Sequence, residues 1–184
     1  MPDFDSYCAY CATLPEGHRD RLYHDLEYGF PIDDDSGLLG RLILEINQAG
    51  LSWTGILKKR DGFFKAYDGF DPEKVAAYGE AEIARLLADP GVVRNRLKVR
   101  AAVYNARELV ALRGEYGSFK AWLDEHHPLS KAEWLKLFKS RFRFVGGEIV
   151  GEFLMSAGYL PGAHVDGCPA GARAIAAGAA WARD

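Results

Sequence analysis

A chain of 184 residues with 48% hydrophobic content can bury one substantial core, so a single domain over 1–184 is expected, with at most two helical lobes sharing that core. Formal net charge is −3, which excludes a protein that coats nucleic acid through bulk positive charge and leaves room only for local basic faces. There is no early apolar run with a cleavage site and no apolar stretch of bilayer length, so the expected compartment is the cytoplasm, with no membrane partner.

The predicted elements are almost entirely helical. Leu38, Leu39, Leu42, Ile43 and Ile46 recur at helical spacing, so a helix should run from about Gly37 to Ala49 and stop at Gly50, with Glu45 near its C-terminal end. Asp71-Pro72-Glu73 reads as an N-cap followed by proline at the first helical position. Ile83, Leu86 and Leu87 mark a further helix ended by Asp89-Pro90-Gly91. Val99, Ala102, Val103, Ala106, Leu109 and Val110 predict a long amphipathic helix over about 94–113, and Phe119, Trp122 and Leu123 the next. Ser130 and Glu133 match a capping box that opens a helix carrying Trp134, Leu135, Leu137 and Phe138. An apolar helix should begin near Glu148 and run through Met155. The Ala/Gly-rich tail, 169–184, reads as a frayed helix or as disorder, and no segment alternates like a strand.

Three constellations carry chemistry. In Glu45-Ile-Asn-Gln-Ala-Gly-Leu-Ser-Trp53 a carboxylate and an indole stand two helical turns apart around a Gly-Leu break, with Lys58-Lys59-Arg60 close behind. That pattern suits a pocket for a flat, electron-poor ring beside a polyanion. In Phe142-Arg143-Phe144-Val145-Gly146-Gly147 a short hydrophobic turn with paired glycines joins two helices. It fits either an ordinary helical corner or a helix-hairpin-helix, in which Gly146 and Gly147 let the backbone approach a phosphate at a helix N-terminus. Basic residues at Arg94, Arg96, Lys98 and Arg100, and at Lys136, Lys139, Arg141 and Arg143, read as solvated helix faces or as phosphate contacts.

The third constellation is Cys/His. Cys8, Cys11 and Cys168 are too few and too far apart for a disulfide framework, which leaves metal ligation or plain thiols. Cys8-Ala-Tyr-Cys11 also has redox spacing, but no strand-helix-strand context surrounds it. His164 and Cys168 can chelate one ion, with Cys11 and His24 able to complete a closed tetrahedral site.

The chain resembles the type I DNA-3-methyladenine glycosylases. The resemblance rests on Gln48 to Trp53, on Tyr23-His24-Asp25-x-Glu27-x-Gly29-x-Pro31, on Leu57 to Arg60, on Phe70-Asp71-Pro72-x-Lys74-Val75-Ala76, on Asn105-Ala106-Arg107 and on Phe142 to Gly146. It implies an all-α helix-hairpin-helix glycosylase fold with a structural Zn2+ joining the N- and C-terminal segments. It also implies a monofunctional enzyme that hydrolyses the N-glycosidic bond of 3-methyladenine, or a related alkylated purine, flipped out of alkylated double-stranded DNA. No obligate protein partner is implied.

Carried over by matching position, Glu45 is the catalytic residue, Tyr23, Tyr28 and Trp53 contact the base, Leu51 fills the gap in the duplex, and Gly146 and Gly147 meet DNA. Cys11, His24, His164 and Cys168 hold the metal, since the interval from Cys11 to His24 fits the family layout. No lysine follows Gly147 in its helix to form a Schiff base, which argues against a lyase. The chain departs from the family at Tyr28, usually Trp, at Thr13, commonly aromatic, and at Leu160-Pro161-Gly162-Ala163 before His164. The alternative reading is therefore a zinc-stapled helical protein that binds DNA or a partner without cleaving a glycosidic bond.

Overall fold

The computed structural model describes residues 4–183, and among them no strand occurs. The chain divides into two compact units, one formed by the two ends of the chain, through Ile32 and from Glu152 onward, and one spanning Asp33–Gly151.

In the second unit, α3 (Asp35–Gln48) starts where the Asp34 side chain accepts from Gly37 N, and it buries Leu38, Leu39, Leu42, Ile43 and Ile46. Helix α4 (Trp53–Ala66) is opened by Ser52, whose hydroxyl accepts from Gly55 N. Helix α5 (Pro72–Ala76) has Asp71 as N-cap and proline in its first turn, and α6 (Glu80–Ala88) follows. The long α7 (Arg96–Tyr116) is capped by Asn95 and ends at Gly117, whose φ of 90° a side chain would resist. Then come α8 (Phe119–His126) and α9 (Lys131–Arg141), the latter with the expected Ser130/Glu133 capping box.

Phe119, Trp122, Trp134, Phe138 and Phe142 form one aromatic cluster between α8, α9 and the segment after α9, with centroids 5.2–6.5 Å apart. Full burial of each such ring stabilises the unit by roughly 1.5–3 kcal/mol. Asp35 joins the start of α3 to that cluster. Its carboxylate, almost fully buried, accepts from Phe119 N at 3.0 Å, Lys120 N at 3.3 Å and Arg113 Nε at 2.8 Å. Gly40 has a packing reason: a Cβ there would meet the Phe70 ring at 2.5 Å.

In the first unit, α1 (Tyr7–Ala12) is capped by Ser6, and α2 (Arg19–Leu26) buries Asp20, Tyr23 and His24. Helix α10 (Gly147–Ser156) begins in the second unit and ends in the first. In the described part of the tail, α11 (Pro169–Ala176) starts at Cys168 with proline at its first position, and Ala170, Ala174, Ala179 and Ala180 are buried. Its small side chains, alanines among them, serve close packing.

Candidate functional site

Local folding brings four metal-type donors together in the first unit. Cys8 lies on α1, His24 on the last turn of α2, His164 in the loop after α10, and Cys168 at the start of α11. His164 Nδ1 is 3.3 Å from His24 Nε2, 3.7 Å from Cys8 Sγ and 3.6 Å from Cys168 Sγ, and Cys168 Sγ is 3.7 Å from His24 Nε2. All four donors lie within 4.8 Å of one another, so this group could hold a metal ion.

The remaining ring nitrogens fix the tautomers. His24 Nδ1 faces Asp25 Oδ1 at 2.8 Å, and His164 Nε2 faces the Tyr28 carbonyl at 2.7 Å, so each ring donates outward and turns a lone pair into the cluster. Burial, set against that bond to Tyr28, lowers the pKa of His164, which keeps its imidazole neutral. Desolvation would raise the Asp25 carboxyl, but the hydrogen bond from His24 and the charges of Arg21 and Arg173 hold it below its usual range. Two facing imidazole lone pairs beside two sulfurs make an electron-rich group that a cation would stabilise.

Cys11 does not belong to this cluster, contrary to the expectation from its interval to His24. Its sulfur is buried and directed at the Asp20 carbonyl, 3.5 Å away, and burial pushes its pKa up to about 12. Cys8 takes the place instead. The helical turn decides between them: two cysteines three residues apart both lie near one face, and only their rotation about the α1 axis tells which sulfur meets the histidines.

The aromatics of the first unit surround the cluster. The Tyr28 ring lies 5.5 Å from Tyr23, 5.7 Å from Tyr7 and 5.7 Å from His164, and its hydroxyl donates to Glu152 Oε2 at 3.2 Å. Tyr23 is buried. Thr13 ends α1, its hydroxyl donating to the Tyr10 carbonyl.

In the second unit, Glu45 is buried in the last turn of α3 at 4% exposure, an unusual position for a carboxylate. The chain then turns through Gly50, at φ +85°, and Leu51, 48% exposed, before Trp53 opens α4. The hairpin segment lies between α9 and α10. Gly146 is exposed, has no left-handed φ, and a Cβ built on it meets nothing within 4 Å; at Gly147 the nearest atom is Leu135 Cδ2 at 3.6 Å. Neither backbone conformation nor internal packing requires glycine at 146. Phe144 is 40% exposed at φ 58°, a conformation that costs a bulky residue about 1–2 kcal/mol.

Not every basic residue faces solvent. Lys98 is buried, Arg100 pairs with Glu80, and Arg141 pairs with Glu115, whereas Lys58, Arg94, Arg96, Lys136, Lys139 and Arg143 are exposed. At the start of α10, where a carboxylate would oppose a phosphate, Glu148 has Lys131 Nζ 3.8 Å away.

An all-helical chain with an N- and C-terminal Cys/His cluster defines a class, and the comparisons define it further. Residues 16–135 match the family model described as methyladenine glycosylase. A DNA-3-methyladenine glycosylase 1 from Escherichia coli is 37% identical over 169 residues, covering 79% of this chain and 88% of that protein. A DNA-3-methyladenine glycosylase from Haemophilus influenzae is 34% identical over 166 residues, covering 80% and 89%. A solved 3-methyladenine DNA glycosylase I from Staphylococcus aureus superposes with a TM-score of 0.79 at 31% identity, over 90% of this chain and 97% of that one. A variant of such an enzyme solved in complex with 3-methyladenine gives 0.77 at 31% identity, over 89% and 96%. The chain belongs to the methyladenine glycosylase family.

Proposed function

We propose that this protein is a DNA repair glycosylase that hydrolyses the N-glycosidic bond of 3-methyladenine, or a related alkylated purine, in double-stranded DNA. The observation that carries this reading is the buried carboxylate of Glu45 beside the exposed Gly50-Leu51 turn and Trp53, in a chain whose relatives are named for this activity. Extruding a nucleotide costs a few kcal/mol and is easier for a damaged base. N3-alkylation makes the adenine cationic, so the ring is already a good leaving group, and it attracts an electron-rich indole and a carboxylate.

Glu45 therefore acts by binding the charged ring in preference to neutral adenine, with Trp53 stacking and Tyr23 and Tyr28 supplying further contacts. As the C1′–N9 bond breaks, its electron pair passes to the base, which leaves neutral. Water adds to the sugar carbon and releases a proton, and Glu45 stabilises the positive charge that develops on the sugar. Leu51 fills the space left in the duplex, and Gly146 and Gly147 admit a phosphate in a helix-hairpin-helix, where α10 offers amide donors.

The metal is proposed to be zinc. Bonds of about 2.3 Å to sulfur and 2.0 Å to nitrogen in a tetrahedron place neighbouring donors about 3.3–3.8 Å apart. Four of the donor separations, at 3.3–3.7 Å, fit that geometry, and all donors lie within 4.8 Å of one another. Four protein ligands leave no position for water, so the ion would be structural. Incubating methylated duplex with the protein and assaying free bases tests the activity. Release of 3-methyladenine with the abasic strand left uncut is expected, and no release by folded protein would exclude the enzyme.

A further inference from the structure

Lys98 stands in the basic run of Arg94, Arg96 and Arg100, whose side chains are exposed, yet it is 6% exposed itself. Its ammonium donates to the Ala49 carbonyl at 2.7 Å and to the Asn47 carbonyl at 3.1 Å, where the C-terminus of α3 leaves carbonyls without helical partners. The same ammonium lies 5.9 Å from the centroid of Phe144.

Seven residues further along α7, two turns on and therefore on the same face, Asn105 grips the hairpin turn by both backbone groups of Arg143. Its Nδ2 donates to Arg143 O at 3.1 Å, and its Oδ1 accepts from Arg143 N at 2.8 Å. One face of α7 thus fastens two turns, each ending in an exposed apolar residue: Leu51, two residues beyond the Lys98 acceptor at Ala49, and Phe144, one beyond Arg143. Water could satisfy the carbonyls of a helix end at the surface. A buried cation there instead caps α3 and also orders a turn whose tip is apolar and solvent-exposed.

We propose that Lys98 is a positioning residue for base extrusion, clamping the 49–52 turn to the 142–146 turn so that Leu51 and Phe144 meet the duplex as one rigid edge. The proposal rests on the glycosylase reading. Lys98→Met keeps the aliphatic stem and removes the donor. It should slow single-turnover excision from methylated duplex about 10-fold, while the affinity for free 3-methyladenine changes by less than about 2-fold, because geometry and not the base pocket is lost. Phe144→Leu should slow excision in the same sense, and the double variant should be no slower than the slower single, as expected for groups acting as a unit.

Unchanged excision in Lys98→Met, independent multiplicative losses in the double variant, or an equal loss of free-base affinity would overturn the clamp. If Lys98→Met does not fold, Phe144→Leu decides alone, since it alters an exposed side chain, and an unchanged rate there contradicts the proposal. Failure of the glycosylase reading is separate, because the wild type would then release no base at all.

Discussion

At the scale of single residues, two cysteines one helical turn apart have opposite fates. Cys8 Sγ meets His164 and Cys11 Sγ is buried against a backbone carbonyl. Cys8→Ser is expected to abolish stoichiometric zinc and lower Tm by several degrees, whereas Cys11→Ser keeps the metal; elemental analysis and melting of both variants check this. Retention of zinc by Cys8→Ser would restore Cys11 as the ligand. The ambiguity is physical: residues three apart differ by about 4.5 Å along a helix axis, and sequence spacing cannot show which side of the turn faces the partner. Lys98 was equally illegible, since a lysine among exposed basic residues gives no sign of burial. His24, His164 and Cys168 were legible because a closed site needs two pairs of soft or imidazole donors at chelating intervals.

At the scale of elements, caps and periodicity carried the reading well. The α3 apolar face, the Asp71-Pro72 start of α5 and the Ser130/Glu133 box all appear where their chemistry predicts. Asp35 was not foreseeable, because its partners at 113, 119 and 120 are remote in sequence. Asp35→Ala leaves two backbone donors at the start of α8 without their acceptor, and should cost about 2–4 kcal/mol in denaturant unfolding. A cost below about 0.5 kcal/mol would show that water replaces it.

A Cβ at Gly146 would meet nothing within 4 Å in the protein, so Gly146→Val should leave Tm nearly unchanged and weaken duplex binding about 10-fold, as a side chain blocks phosphate approach. Unchanged binding would remove the turn from the DNA interface.

At the scale of the whole molecule, the Cys/His cluster joins segments 8–24 and 164–168, which are far apart in the chain, so a bound ion closes a loop of more than one hundred residues. A chelator should therefore lower Tm. Acid should do the same. Cys8, Cys168, His24 and His164 must be deprotonated to ligate, so the unfolded, metal-free chain binds more protons, and the stabilisation present at neutral pH is lost as pH falls. Melting with and without chelator between pH 5 and pH 8 measures it, and a chelator effect that grows towards pH 5 would contradict the ligand set.

The exposed Lys58, Arg94, Arg96, Lys136, Lys139 and Arg143, against a net charge of −3, predict DNA affinity that falls steeply with salt. The most direct test of the central claim compares 3-methyladenine release from methylated duplex by wild type and Glu45→Gln. Release by the wild type, cut by about 100-fold or more in the folded, zinc-loaded variant, is the predicted result. Equal release by both proteins would contradict the role of the buried carboxylate.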